Sequence, residues 1–308
     1  MTTEGAKKGV RPAWIAAIVA VIVIVGLSVP PGRNLTRRFF NSLRVGKVQA
    51  VNVDLSNFVG PNANSSLQQM FSQMISDKVN ITLNEPTQSV ATEAEASKLA
   101  GFPVQLLGRR KDAPEMEVRG AHAFDLTVDR ARLQEILKEA GKSDLSLPPS
   151  IDGAHVEVRM ARSMIVRYGT CPGRPSATAN VATPTPTSTE YSDCVVLDEG
   201  PSPVVNAPAT LDLQHLAEIG LELAGMTPTQ AQQFLQNVNW RSTLGVSIPR
   251  FMRSYQAVEI NGVKGTLLNM AGRRGPTYTL AWVKNGMVYT LTGFGDSGGA
   301  VGLANSLQ

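Results

Sequence analysis

A long uncharged apolar run near the N-terminus constrains this chain more than any other feature. Residues 12–31 carry no charged side chain, and residues 13–29 read AWIAAIVAVIVIVGLSV. A helix of about 20 residues rises about 30 Å, which is the thickness of a bilayer core. Trp14 lies at one end, where an indole prefers the membrane interface, and Pro30 and Pro31 end the helix. We therefore predict a transmembrane helix over residues 13–31, preceded by a cytoplasmic tail over residues 1–12.

A cleaved signal peptide is the alternative interpretation of this run. Lys7, Lys8 and Arg11 precede it, and Gly26 and Ser28 are small residues at a spacing suited to cleavage. The run is long for a signal peptide and no A-x-A pattern follows it, which favours an uncleaved anchor. Basic residues between positions 33 and 47 would by themselves favour a cytoplasmic C-terminus. Because long domains translocate largely regardless of such charges, we predict that residues 47–308 are extracytoplasmic.

The composition indicates a folded region that does not bind nucleic acid. Of the 308 residues, 43% are hydrophobic and 18% are charged, as in a globular protein with a core. The net charge is +4, and basic residues are densest beside the apolar run rather than on a face of the folded region. Residues 32–46 are predicted to be a juxtamembrane segment, with Phe39, Phe40 and Leu43 in an amphipathic turn against the headgroups.

Two cysteines flank a segment of unusual composition. Residues 172–193 between Cys171 and Cys194 are rich in Thr, Pro, Ser and Ala, which predicts an exposed loop without a core of its own. Both cysteines flank β-like runs, and the predicted compartment is oxidising. We therefore predict a Cys171–Cys194 disulfide that closes the loop, with residues 47–170 and 195–308 as candidate subdomains.

The remaining patterns alternate between strands and helices. Strands are predicted over residues 47–55, 117–128, 155–160 and 164–168, and helices over residues 65–75, 93–100, 130–140 and 211–224. Thr92 and Glu95 form a capping box before the second helix, and Thr227-Pro228 is a further helix start.

The C-terminal stretch carries the clearest pattern. Four alternating runs cover residues 255–260, 263–269, 277–283 and 287–292. Asn261-Gly262 joins the first pair and Asn285-Gly286 joins the last, and Asn-Gly between such runs is typical of a tight hairpin. A final helix is predicted near residues 300–307. The predicted fold class is therefore α+β with antiparallel sheets and packed helices, and Trp240 and Trp282 are predicted core anchors.

One short motif suggests catalysis. Residues 295–299 read GDSGG, as around the nucleophilic serine of trypsin-like proteases, but that mechanism needs a histidine base beside Ser297. His122, His155 and His215 do not lie in the expected sequence setting, and neither the histidines nor the cysteines have a metal-site spacing. We predict no catalytic, cofactor-binding or metal-binding residue.

Part of the chain resembles a bacterial family. Residues 258–265 (VEINGVKG), 278–282 (YTLAW), 289–293 (YTLTG) and 303–307 (LANSL) resemble an uncharacterised extracytoplasmic domain at the C-terminus of membrane-anchored anti-sigma factors. They are also similar to the C-terminal part of periplasmic sigma-E regulators, and residues 93–104 resemble the upstream element of the family. The family has no known catalytic residues to carry over.

The resemblance implies a non-enzymatic, membrane-anchored sensing or binding protein that needs no cofactor. An anti-sigma factor holds its sigma factor with a cytoplasmic helical domain, but only about a dozen residues precede the apolar run here. Any regulation of envelope signalling would therefore pass through a partner membrane protein. The alternatives are a lipid or lipoprotein carrier and a serine hydrolase using Ser297. A deep apolar groove between sheet and helices would favour a carrier or a sensor, and a polar cleft with His and Asp near Ser297 would favour the hydrolase.

Overall fold

The computed structural model describes residues 40–44, 47–53, 64–171, 193–237, 243–249, 252–272 and 275–308. These parts of the chain form α+β architecture. The strands are β1 Phe40–Arg44, β2 Lys47–Val53, β3 Val79–Asn84, β4 Gln88–Val90, β5 Glu115–Arg119, β6 His122–Thr127, β7 His155–Met160, β8 Ser163–Tyr168, β9 Val195–Pro201, β10 Val204–Pro208, β11 Thr243–Pro249, β12 Met252–Ile260, β13 Val263–Gly272, β14 Gly275–Lys284 and β15 Met287–Phe294. The helices are α1 Ser65–Lys78, α2 Glu93–Ala100, α3 Arg130–Glu139, α4 Leu213–Leu223, α5 Pro228–Asn237 and α6 Ala300–Ala304.

Two antiparallel sheets organise the fold. The first has five strands in the order β1-β10-β7-β6-β3, and the second has eight in the order β12-β13-β14-β15-β9-β8-β5-β4. Strands β2 and β11 form a separate parallel pair, and β2 lies against β13 and β14. The predicted class, α+β with antiparallel sheets, is confirmed. Each antiparallel sheet draws strands from both sides of the Thr/Pro-rich segment.

Four strands pass from one sheet directly into the other. The strand pairs β3/β4, β5/β6, β7/β8 and β9/β10 are each interrupted by only two or three residues, and their order is the same in both sheets. They therefore behave as four long strands bent along one line. We call this line the corner, and it consists of residues 85–87, 120–121, 161–162 and 202–203.

The eight-stranded sheet carries the larger core. Trp282 is only 1% exposed and stacks on Tyr289, with ring centroids 5.1 Å apart and planes 7° from parallel. Helices α2 and α6 pack on this face through three alanines that have no exposed surface. Their small side chains allow the helices to approach the sheet closely. These alanines are Ala96, Ala300 and Ala304. The prediction that Trp282 anchors the core is confirmed, and Trp240 lies outside the described residues.

The five-stranded sheet is covered by helices on one face. Phe124, Val158 and Val205 form the apolar centre of that face. Leu67 and Met74 of α1 pack against Ile136 of α3 beside it. None of the described helices covers the opposite face, on which Asp125, Glu157 and Arg159 line a groove.

Helix boundaries follow the capping signals in the sequence. The Thr92 hydroxyl accepts a hydrogen bond from the Glu95 N–H at 3.2 Å, and Gly101 ends α2 with a φ of 83°. Thr227 and Gln230 form a reciprocal box at 2.9 and 3.2 Å before α5. These predicted helix starts are confirmed.

The predicted C-terminal meander is also confirmed. Asn261, Gly262, Asn285 and Gly286 all have positive φ, as a two-residue hairpin turn of type I′ requires at both central positions. The strands are longer than predicted, and β9 extends the sheet beyond β15. The final helix is shorter than predicted, because α6 ends at Ala304 and Leu307 pairs instead with Leu107.

Two local predictions are wrong. Residues 117–128 are not one strand, because the chain leaves the eight-stranded sheet after Arg119 and enters the five-stranded sheet at His122. Residues 40–44 do not form the predicted amphipathic turn but the strand β1, whose backbone pairs with β10. The rest of the predicted juxtamembrane segment, residues 32–39 and 45–46, lies outside the described residues.

The predicted membrane anchor, residues 13–31, and the tail before it also lie outside the described residues. Among the helices that the structure describes, none is both long enough and apolar enough to cross a membrane.

Candidate functional site

A groove of about 770 Å³ opens along the corner on the uncovered face of the five-stranded sheet. Both sheets contribute to it, since Pro201 and Gly286 border it from the eight-stranded side. The Ser202 hydroxyl and N–H both donate to the Gly286 carbonyl at 2.9 Å, which fixes the β14–β15 turn against the corner. The lining of the groove includes Leu83, His122, Asp125, Glu157, Arg159 and Ala161.

An ion pair fixes the corner beside the groove. The Arg162 guanidinium donates to both carboxylate oxygens of Glu85, at 2.7 and 3.1 Å, and also to the Leu99 carbonyl at 3.0 Å. The Ala121 N–H donates to the same carboxylate at 3.0 Å. These donors, Arg162 foremost and Ala121 next, lower the pKa of Glu85 to about 2. Glu85 is therefore ionised throughout the physiological range.

Glycine is required at one position of the corner. A Cβ on Gly120 would lie 2.4 Å from the Glu85 carbonyl oxygen and 2.5 Å from its carbon, which are backbone atoms that cannot simply rotate away. The close contact brings β3 and β5 together where they change sheets. The sequence offers one signal for this, an isolated glycine inside a strand pattern.

The wall of the groove carries more negative than positive charge. Asp125 lies directly opposite Glu157 in the register of β6 and β7. Arg159 donates to Glu157 at 2.6 Å and Asn206 donates to it at 2.8 Å, and both bonds hold the pKa of Glu157 below its usual range. The side chain of Asp125 has no hydrogen-bond or ion-pair partner within the described part of the chain. One carboxylate in the groove is thus left without a counter-charge from the residues that the structure describes.

The three histidines lie in the half of the molecule built on the five-stranded sheet. His122 borders the groove, and its Nδ1 is shielded from solvent with no hydrogen-bond partner among the described residues. His155 lies at the start of β7 with Nδ1 3.2 Å from the Thr127 hydroxyl. His215 is in α4 with Nδ1 3.9 Å from Glu218. No group of three metal-ligating side chains occurs in the residues that the structure describes.

Ser297 lies near the C-terminal end of the chain, in the turn between β15 and α6. The Asp296 carboxylate accepts a hydrogen bond from the Gly298 N–H at 3.0 Å, so this acid stabilises the turn. The Ser297 carbonyl accepts from the Ala300 N–H at 3.0 Å. The histidines belong to β6, β7 and α4, so none shares an element with the serine. The local role of residues 295–299 is to lead the chain into the last helix.

A carboxyl group lies inside the large core, and no sequence pattern indicated it. Glu199 of β9 has no exposed surface, and its Oε1 accepts a hydrogen bond from the Gln105 N–H at 2.7 Å. Its Oε2 is buried without a partner among the described residues. Burial raises the pKa of Glu199 to about 7, against the lowering effect of the Gln105 N–H, and the nearby charges of Asp198 and Glu93 add to the increase.

The predicted Cys171–Cys194 disulfide is confirmed, with a Cα–Cα distance of 4.9 Å. The bond closes one end of the β8–β9 pair. Cys194 directly precedes Val195, which pairs with Tyr168 at that end. Asp112 accepts from Arg110 at 2.7 Å and from the Gly169 N–H at 2.8 Å beside the bond. The larger core between the eight-stranded sheet and helices α2 and α6 holds buried side chains such as Leu107, Met164 and Leu280.

Comparison with known proteins found no protein family, no curated protein and no solved structure that matches the chain.

Proposed function

We propose that the chain is a non-enzymatic, membrane-anchored binding protein of the extracytoplasmic space, and that it recognises its ligand in the groove along the corner. The observation that carries the proposal is the groove itself, which is concave, partly apolar and bordered by a carboxylate that has no counter-charge among the described residues. Convergent polar groups in an apolar concavity are typical of binding sites. The disulfide supports an oxidising location.

The position of the groove supports a sensing role. Leu83, Asp125 and Arg159 line it from the five-stranded sheet, while Pro201 and Gly286 line it from the other side of the corner. A ligand that contacts both sides favours the angle between the sheets at which both contacts are made. Binding would therefore shift the population of that angle, and a partner membrane protein would receive this change. The resemblance of the C-terminal strands to domains of anti-sigma factors agrees with such a role.

Crosslinking in the native membrane tests the proposal. Ala161 is exposed and lines the groove, so Ala161→Trp should fill the groove without disturbing the core. We expect brief formaldehyde crosslinking to give a discrete adduct of the wild-type chain, and the Ala161→Trp variant to lose it by roughly tenfold. Ala94→Trp, at an exposed position of α2 outside the groove, is the matched control and should keep the adduct.

Three results would count against the proposal. No adduct in any of the three proteins contradicts the binding role, and an adduct that survives Ala161→Trp places binding outside the groove. Labelling by a fluorophosphonate probe that disappears in Ser297→Ala would show a serine hydrolase instead.

A further inference from the structure

Strand β3 forms an exposed edge of the five-stranded sheet. The sheet ends at β1 on one side and at β3 on the other. Residues 80–84 are exposed without interruption, and Ile81 and Leu83 are 51% and 43% exposed. An edge strand presents a row of backbone N–H and C=O groups that another strand can pair with.

The edge lacks the charged residues that usually block such pairing. Residues 79–84 read VNITLN and carry no charge. Lys78 at the preceding position is held by Asp129 at 3.1 Å, and Glu85 at the following position is held by Arg162. Natural edge strands commonly carry lysine or inward-pointing charges that prevent association. The open part of this edge therefore spans β3, with one irregularity between Ile81 and Leu83 in its pairing with β6, and ends at Pro86, which has no N–H to donate.

The groove lies directly beside this edge. Thr82 and Leu83 of β3 form its outer wall, and Asp125 lies one strand further in, in register with Asn80. Neighbouring strands are about 4.8 Å apart, so an added strand would run about 10 Å from β6. A lysine or arginine side chain can span that distance. The carboxylate of Asp125, which has no partner among the described residues, selects for such a basic group.

From this arrangement we infer that β3 binds an extended polypeptide segment as an added strand, with an apolar side chain beside Leu83 and a basic side chain directed to Asp125. The inference rests on the proposed function, because it assigns a ligand class to the same groove. A second copy of the chain fits less well. β3 contains no basic residue to place beside Asp125, and Lys78 is already held by Asp129.

A designed peptide tests the inference on the full-length chain in detergent micelles. The probe is an eight-residue peptide of alternating valine and threonine with one central lysine, blocked at both ends. Hydrogen–deuterium exchange followed by mass spectrometry measures protection of Val79–Asn84 as the peptide is added. We expect exchange in this strand to slow roughly tenfold, because pairing covers its outward amide groups. The same peptide with every backbone nitrogen methylated should give no protection, since it keeps the side chains but cannot donate.

Two variants assign the contacts. Leu83→Lys places a charge on the edge and should weaken peptide binding roughly tenfold. Tyr255→Lys makes the same change at an exposed tyrosine of β12, the edge of the other sheet, and should leave binding unchanged. A second peptide carries glutamate in place of the central lysine. Asp125→Asn should reduce the preference of the chain for the lysine peptide over this glutamate peptide by about threefold.

The outcomes separate this inference from the proposed function. Absence of binding, equal binding of the methylated peptide, or protection outside β3 each overturns the added-strand inference. Should the adduct nonetheless depend on Ala161, the proposed function would stand with another ligand class. A dimer could also protect β3 when no peptide is present. If Leu83→Lys dissociated such a dimer, a second copy of the chain would be the occupant and the inference would be overturned.

Discussion

At the scale of single residues, Glu199 is the most unusual group in the core. Its carboxyl has one donor, the Gln105 N–H, and no exposed surface. In the unfolded chain this group titrates near 4.5, whereas burial raises its pKa in the folded protein to about 7. The folded state therefore holds the proton more tightly. Stability from this group is fully present below pH 4.5 and is lost as the pH rises through about 7.

Glu199→Gln should remove this pH dependence. The difference between 4.5 and about 7 corresponds to roughly 3 kcal/mol, so the wild type should lose up to that amount between pH 5 and pH 8 relative to the variant. Urea unfolding at both pH values measures it. Glu135→Gln, at an exposed position of α3, serves as the control and should keep the wild-type profile. Parallel profiles for wild type and Glu199→Gln would show that the carboxyl is not protonated by burial.

At the scale of elements, the corner depends on the absence of a side chain at position 120. Gly120→Ala places a Cβ 2.4 Å from the Glu85 carbonyl oxygen, so β3 and β5 must separate. Overpacking of this kind typically costs about 1–3 kcal/mol. The shift also disturbs the Ala121 N–H bond to Glu85. We expect a lower midpoint of thermal unfolding together with loss of the groove-dependent adduct.

Gly299→Ala is the matched control for that substitution. Its added Cβ would meet no atom within 4 Å, and the Gly299 φ of −90° suits any residue. The variant should therefore unfold close to the wild-type temperature, apart from a small effect at the start of α6. Equal losses in both variants would mean that the close approach at the corner is not the reason for glycine at 120.

Elements set by near neighbours were predictable, and elements set by distant ones were not. The Asn285-Gly286 turn follows from two adjacent residues whose backbone preferences suit a type I′ hairpin. The bend at Gly120 depends on Glu85, which approaches from 36 positions away at the Ala121 hydrogen bond. Alternation continues through residues 117–128, so the pattern alone indicated one strand. The strand is divided because β5 pairs in the eight-stranded sheet and β6 pairs in the five-stranded sheet. Only the whole fold determines this pairing.

The candidate site was invisible for the same reason. Its ion pair joins Glu85 to Arg162 across 77 positions, and its wall brings Asp125 and Glu157 together from separate strands. None of these residues lies in a motif. Glu85 and Arg162 lie between strands, and their positions become meaningful only when four strands bend along one line. The disulfide was predictable because the loop composition and the strand patterns beside both cysteines pointed to a closed loop.

At the scale of the whole molecule, the disulfide links the compartment to the fold. The bond closes 23 positions of sequence separation at the end of the β8–β9 pair. In the loop-closure description it stabilises the folded state by about 3 kcal/mol. Cys194 has no exposed surface, so a reduced thiol there would be protected from alkylation until the chain opens. Thiol counts must therefore be made on unfolded protein.

We expect protein from its native membrane to contain no free thiol after unfolding without reductant. A site for a sequence-specific protease inserted between Pro184 and Pro186 gives the sharper test. Cleavage there should leave one band on a non-reducing gel and two on a reducing gel, because the bond holds the pieces together. After cleavage, the double variant Cys171→Ser with Cys194→Ser should separate into two bands under both conditions, and the uncleaved variant should unfold at lower urea.

An active alkaline phosphatase fusion at Gln308 would independently place the C-terminus outside the cytoplasm. Two free thiols in the native protein would contradict both the bond and the extracytoplasmic location, since an oxidising compartment is what maintains the bond.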